Sequence, residues 1–250
     1  MVSKCWEDWS KEIAQNLERD GNYDNFLNWP IIKCTMFVEK PPYVNMEYDF
    51  IKDKVPPELL IEDKFGNPPR HPNYPESSGN LIHHLYHVSK FEEATGTKFT
   101  DYRLIFEFGA GYGSMCRIAK RMGFVGHYLI YDLPELEKIQ DVYLDNTSSF
   151  HTHINRSHIT NGPAHRVLGK RLFISTWALN EAPLETMDYV LKNVSDFDGF
   201  LIAFDNDFVN GNNFEYFTKF TESVKNIAWK FEVMNHIPGS YYFFGKKNNV

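Results

Sequence analysis

Four short apolar runs in the later part of the chain each end on a polar residue. Leu104–Phe106 stops at Glu107, Tyr128–Tyr131 at Asp132, Leu172–Ile174 at Ser175, and Phe200–Phe204 at Asp205. Unbroken apolar runs suit strands buried on both faces, and the stretches between them carry a helical period. The pattern therefore predicts parallel strands joined by crossover helices, an α/β fold. Ser114–Met122 reads as a helix stopped by Gly123. Pro134 suits the first turn of the next helix, with Glu135 and Glu137 at its positive end, and a third helix covers Pro183–Asn193. Ala228–Met234 and Ser240–Gly245 are aromatic-rich, and the segment holding His236-Ile-Pro-Gly239 between them is too short for a crossover. They predict a hairpin and hence an antiparallel last strand.

The first hundred residues follow another pattern. Charged helical stretches at Trp6–Asn16 and Leu81–Thr95 flank Pro41–Pro75, which holds eight of the 13 prolines. That segment has too many aromatic and apolar residues for disorder, so it reads as an ordered, irregular arm. The chain accordingly divides into residues 1–98, a helical and irregular cap suited to substrate selection, and residues 99–250, the sheet domain. No internal repeat or low-complexity tract is visible.

Composition narrows the function. With 33 acidic against 26 basic residues the net charge is −7, and Lys and Arg form no cluster. The electrostatic footprint of a nucleic-acid binder is missing, so no nucleic-acid partner is expected. Cys5, Cys34 and Cys116 are odd in number and widely spaced, which suggests neither a disulfide framework nor a zinc site and fits a reducing cytoplasm. The N-terminal residues are charged, and no run approaches ~18 apolar residues, so a soluble, cytoplasmic protein without a membrane partner is expected.

The chemistry concentrates at Phe106–Met115, Phe-Glu-Phe-Gly-Ala-Gly-Tyr-Gly-Ser-Met. Glycines at 109, 111 and 113 allow sharp turns and close backbone approach to a ligand. A dinucleotide fingerprint, G-x-G-x-x-G, counted from Gly109 would need glycine at 114, where Ser114 stands, so the dehydrogenase pattern fails. Asp132 lies 19 residues after Gly113, at the end of the second run, where a carboxylate can accept from both ribose hydroxyls of a nucleoside. Capping of the helix that Pro134 begins is the competing role. For Glu107 the competing role is a strand-end carboxylate held by the glycine loop. In open parallel sheets ligands bind outside the carboxyl ends of the strands, so Glu107, Asp132, Ser175 and Asp205 form four candidate contacts on one rim.

Glu107-Phe-Gly-Ala-Gly-Tyr-Gly113 resembles the first motif of class I S-adenosylmethionine-dependent methyltransferases. Together with Tyr131-Asp-Leu-Pro-Glu135, Gln140, Tyr143-Leu144, Ser175-Thr-Trp-Ala-Leu-Asn-Glu181 and Tyr241-Tyr-Phe-Phe-Gly245, it is similar to the sugar O-methyltransferase family over roughly residues 80 to 250. The resemblance implies a Rossmann-like sheet, mostly parallel with an antiparallel last strand and helices on both faces, and S-adenosylmethionine as methyl donor. It implies that Glu107, Gly109, Gly111 and Gly113 hold the methionine portion, Asp132 the ribose, and Leu133 the adenine. That fold also requires a third strand within the polar, His-rich Thr147–Arg166, for which Ala164–Leu168 is the candidate.

Transfer to a hydroxyl needs a base near the methyl group. Glu181 is one candidate, with helix capping as its alternative role, and Trp177 is placed to pack on the cofactor or on a sugar face. Asp205 and Asp207 offer a second base or oxygen ligands for Mg²⁺, although turn chemistry explains an Asp-Asn-Asp sequence equally, so no metal is assigned. His83, His84 and His87 share a helical face without an H-E-x-x-H pattern; His84 is the candidate for substrate binding or proton acceptance. His151, His153, His158 and His165 receive no role. The resulting reading is a methyltransferase acting on a sugar, nucleotide sugar or glycoside. Its alternatives are a methyltransferase for an amine, carboxylate or phosphoryl oxygen, a nucleotide-dependent oxidoreductase, and a non-catalytic binding protein. The aromatic N-terminal cap offers a homodimer contact.

Overall fold

The computed structural model describes residues 3–20, 23–38, 40–162, 164, 166–207, 209 and 211–248. The chain opens with helices α1 (Lys4–Asp20), α2 (Pro30–Met36) and α3 (Pro41–Ile51), followed by a two-stranded ribbon of β1 (Arg70–His71) and β2 (Tyr74–Ser78). Helix α4 (Gly79–Thr95) leads into β3 (Leu104–Phe108), α5 (Ser114–Arg121), β4 (His127–Tyr131), α6 (Pro134–Asn146), β5 (Thr152–His153) and α7 (Arg156–Asn161). The rest is β6 (Arg171–Thr176), α8 (Leu184–Val194), β7 (Gly199–Asp205), α9 (Asn213–Ser223), β8 (Ile227–Val233) and β9 (Ser240–Lys247).

The seven strands of the main sheet run in the order β5-β4-β3-β6-β7-β9-β8. All pair in parallel except β9, which is antiparallel to both β7 and β8, so the predicted hairpin inserts its last strand into the sheet. This is the Rossmann-like arrangement that the sequence pattern predicts, a mostly parallel sheet with one antiparallel strand. Its topological switch point lies beside β3, where the chain first builds toward β5 and then returns to place β6 on the other side.

Period-two alternation sorts the apolar runs into two cores. Ile105, Ile130, Leu172, Ile174, Leu201, Ala203, Tyr242 and Phe244 face one; Leu104, Phe106, Leu129, Phe173, Phe200, Ile202, Phe204 and Phe243 face the other. The first core also takes Ile13, Phe26, Ile32, Val44, Leu85 and Phe91, so residues before and after position 98 are packed in one apolar cluster. A buried ion pair adds to this union: Arg117 on α5 meets Glu62 at 2.8 Å and also Asp63, both from the arm before β1.

Several boundaries shift from expectation. β3 extends to Phe108, because Glu107 remains in register with Ile130 and Ile174, and β6 likewise runs through Ser175. Pro41–Pro75 begins with the eleven-residue helix α3; its two prolines occupy the first turn, where no amide hydrogen is needed. The third strand is β5, paired as Leu129↔Thr152 and Ile130↔His153. Within the expected Ala164–Leu168, His165 lies outside the described residues, and the described ones form no strand. Among the described residues no helix is long and apolar enough to cross a membrane.

Candidate functional site

The carboxyl edge of the sheet encloses a cavity of about 300 Å³ between the loops after β3, β4 and β6. Residues 34–38 and Trp6, from the N-terminal helices, form its other side. Gly109 (φ +74°) and Gly111 (φ +58°) line it in the left-handed region, where a side chain is strained. A Cβ on Gly109 would overlap the Cβ of Ala178 in the loop after β6. Gly113 serves differently: it does not line the cavity but precedes α5 at φ +95°, and a Cβ there would stand 3.1 Å from the Leu144 side chain.

Asp132 and Leu133 line the same wall. The Asp132 carboxylate accepts from Gly111 N at 3.2 Å, Leu133 N at 2.8 Å and Gln140 Nε2 at 2.7 Å. Gln140 Nε2 also donates to Gly111 O at 2.8 Å, which ties helix α6 to the glycine loop. Burial pushes Asp132 up to about 7 against the pull of these donors. Glu107, also a lining residue, is pushed by burial up to about 8; the Tyr128 hydroxyl, donating at 2.7 Å, pulls it back, and the nearby Asp132 adds to the rise. Neither Gln140 nor Tyr128 had a chemical role in the sequence reading, because their meaning depends on contacts across the loop.

Opposite stand Glu181, Trp177, His83 and His84. Glu181 sits in a single helical turn before α8 and does not cap that helix; its carboxylate accepts from Trp6 Nε1. Burial lifts Glu181 to about 7, with the Trp6 bond opposing the shift. Trp177 adopts φ +61°, an uncommon conformation for an aromatic residue, and stacks with His83 at 5.1 Å between ring centroids. His83 Nδ1 meets fully buried Glu47 at 2.6 Å, and the same Glu47 oxygen meets His236 Nε2 at 2.8 Å. Burial alone would raise Glu47, but His83 and His236 outweigh it and hold the carboxylate below its usual range. His83 Nε2 lies 3.0 Å from His87 Nε2, and His87 bonds the Tyr242 hydroxyl. His84 Nδ1 is buried without a partner among the described residues; burial, with His83 and Arg117 nearby, pushes His84 down to about 3.

Two predicted contacts fall elsewhere. Ser175 is fully buried beneath the loop, its Oγ accepting from Leu179 N at 3.0 Å, and it does not line the cavity. Asp205 also stands outside the lining: its Oδ1 accepts from Asp207 N at 2.8 Å, and its carbonyl accepts from Asn213 Nδ2 at 2.9 Å, so it shapes the turn after β7.

No family model and no curated protein matches this chain. The structure is similar to the methyltransferase domain of bacterial CtHen1-C, with 7% identity over 65% of this chain and 95% of that one and a TM-score of 0.48. It is similar to an O-methyltransferase family protein from Burkholderia thailandensis, with 11% identity over 86% and 74% and a TM-score of 0.45. An rRNA methylase from Escherichia coli aligns at 10% identity over 96% and 92%, again with a TM-score of 0.45.

Glu107, Asp132 and Glu181 are all raised above their unfolded values of about 4–4.5, so the folded chain holds protons that the unfolded chain has already released. Their contribution to stability is present below about pH 4 and is lost as pH rises through 7 to 8. The lowered His84 and His87 oppose this below about pH 6.5, so urea unfolding of the ligand-free protein should show stability falling between about pH 6.5 and 8, and less steeply in Glu107→Gln. Equal slopes for wild type and variant would contradict the assignment.

Proposed function

We propose that the protein is an S-adenosylmethionine-dependent O-methyltransferase acting on the hydroxyl of a sugar or sugar-bearing small molecule. The observation that carries this reading is the joining of Asp132 to the glycine loop: a carboxylate with its amide and Gln140 donors already in place lines a cavity at the sheet's switch point. A nucleoside ribose fits such a carboxylate: Oδ2 already accepts from Gly111 and Gln140, while Oδ1, bonded by Leu133 N, keeps a lone pair for a hydroxyl hydrogen. Gly109 and Gly111 leave the backbone open to a methionine moiety beside Glu107, and Leu133 offers an apolar contact to adenine. When bound, the cofactor supplies an electrophilic methyl carbon on its sulfonium.

The chain's own task is then to orient the acceptor and take its proton. Glu181 is assigned as the base, because it faces the cavity and its pKa of about 7 matches the working range of a general base. Trp177 provides a flat apolar face for a sugar ring. No Lys or Arg lines the cavity among the described residues, which favours a small neutral acceptor over a polynucleotide needing phosphate neutralisation. The 2.6 Å Glu47–His83 pair supports a second assignment of the base, His83 oriented by Glu47.

Calorimetric titration with S-adenosylhomocysteine and, separately, with NAD tests the cofactor. Binding of the first alone is expected, weakened in Asp132→Ala by about 1.5–3 kcal/mol as charge-assisted bonds to the ribose are lost. NAD binding, or equal affinity in the variant, would overturn the assignment. With a sugar acceptor, kcat/KM should rise with pH and level off above about 7, since the base works deprotonated. Glu181→Gln should keep cofactor affinity and lower kcat by about 10²- to 10⁴-fold. Unchanged turnover would move the base to His83.

A further inference from the structure

Away from the cavity, at the outer edge of the sheet, three donor atoms converge. His151 Nε2 and His153 Nε2 each lie 3.0 Å from Asp141 Oδ1 and 3.1 Å from one another. His151 directly precedes the two-residue strand β5 and His153 ends it, so extended geometry at i and i+2 points both rings to one side, where α6 presents Asp141. The imidazoles are mostly covered, with side-chain exposures of 9% and 20%, whereas Asp141 is 58% exposed. The carboxylate is therefore open to water while the imidazoles are mostly covered.

Hydrogen bonding alone leaves one edge of this triangle without a bond in each arrangement. If both Nε2 atoms carry protons, both donate to Asp141 Oδ1 and the 3.1 Å edge between the nitrogens holds no bond. If only one does, the other nitrogen's lone pair faces the carboxylate oxygen at 3.0 Å. A cation at the centre makes all three contacts attractive. His153 Nδ1 is buried without a partner among the described residues, and this holds in either arrangement, so it favours neither.

The spacing fits a particular ion class. Imidazole and carboxylate donors bind first-row divalent metals at about 2.0–2.2 Å, which places cis donors of an octahedral ion about 3 Å apart. From this geometry we infer that Asp141, His151 and His153 form a binding site for a divalent first-row metal ion such as Zn²⁺, a 2-His-1-carboxylate face with its remaining positions open to water. Glu137 and Asp145, one helical turn either side of Asp141 on α6, add negative field on that helix. Among the described residues this is the only grouping of three His, Cys, Asp or Glu donors close enough to share an ion.

The site clamps the sheet edge to the helix that carries Gln140, the residue next to Asp141 whose amide holds both Asp132 and the glycine loop. An ion there braces the cofactor wall from outside without entering it. The inference does not depend on the proposed function.

Zn²⁺ titration of the chelator-treated, untagged full chain by calorimetry tests it, with Co²⁺ absorption as a second readout. One equivalent is expected, with a rise in Tm on binding. Affinity should fall at least about 10-fold in Asp141→Asn and at least about 100-fold in His151→Ala/His153→Ala, the scale at which losing ligands disrupts such sites. Absence of binding by the wild-type chain, or stoichiometric binding of equal affinity in Asp141→Asn, would overturn the inference. Asp141→Asn keeps the test decisive even if the double variant does not fold, since its side chain is exposed and nearly isosteric.

Discussion

The arrangement of the cavity depends on one close approach. At Gly109 the chain leaving β3 comes so near the loop after β6 that a methyl group would collide with Ala178, and the backbone there takes φ +74°. Gly109 N also donates to Tyr131 O at the end of β4, at 2.9 Å. Three loops from three adjacent strands are thereby drawn together at the switch point of the sheet. The wall of the cavity is fixed by strand pairing and sterics, so Asp132 and Glu107 hold their positions without a ligand to arrange them.

The electrostatics follow from that enclosure. Burial lifts Glu107, Asp132 and Glu181 toward neutrality, because a charged carboxylate loses solvation that a few donors only partly replace. Glu47 goes the other way, held below its usual range between His83 and His236. These four groups come from the helical N-terminal part, the β3 and β4 loops, and the segment after β6, and His236 belongs to the turn between β8 and β9. The N-terminal helices are thus structural members of the site: α3 supplies Glu47, α4 supplies His83 and His84, and Trp6 on α1 holds Glu181.

Much of the fold was legible because strands buried on both faces need apolar stretches, and Leu104–Phe106, Tyr128–Tyr131, Leu172–Ile174 and Phe200–Phe204 supply them within β3, β4, β6 and β7. The third strand was not, since β5 is two residues at an edge, Thr152–His153, and an edge needs no apolar run. Helix α3 was hidden by prolines at 41 and 42, which read as a break but occupy a helical first turn. At the site, Gly109, Gly111 and Asp132, which spacing singles out, line the cavity. Glu47 was not legible, because 36 residues separate it from His83 and only the packing of α3 on α4 joins them. Asp205 ends a strand as Asp132 follows one, and a sequence cannot show that its carboxylate is spent on its own turn.

The most direct measurement is a crystal structure of the chain grown with S-adenosylhomocysteine. The account predicts the ribose hydroxyls within hydrogen-bond distance of the Asp132 carboxylate, the amino-acid portion along Gly109 and Gly111, and the sulfur facing Glu181. A ligand seated elsewhere, or one whose ribose turns away from Asp132, would contradict it.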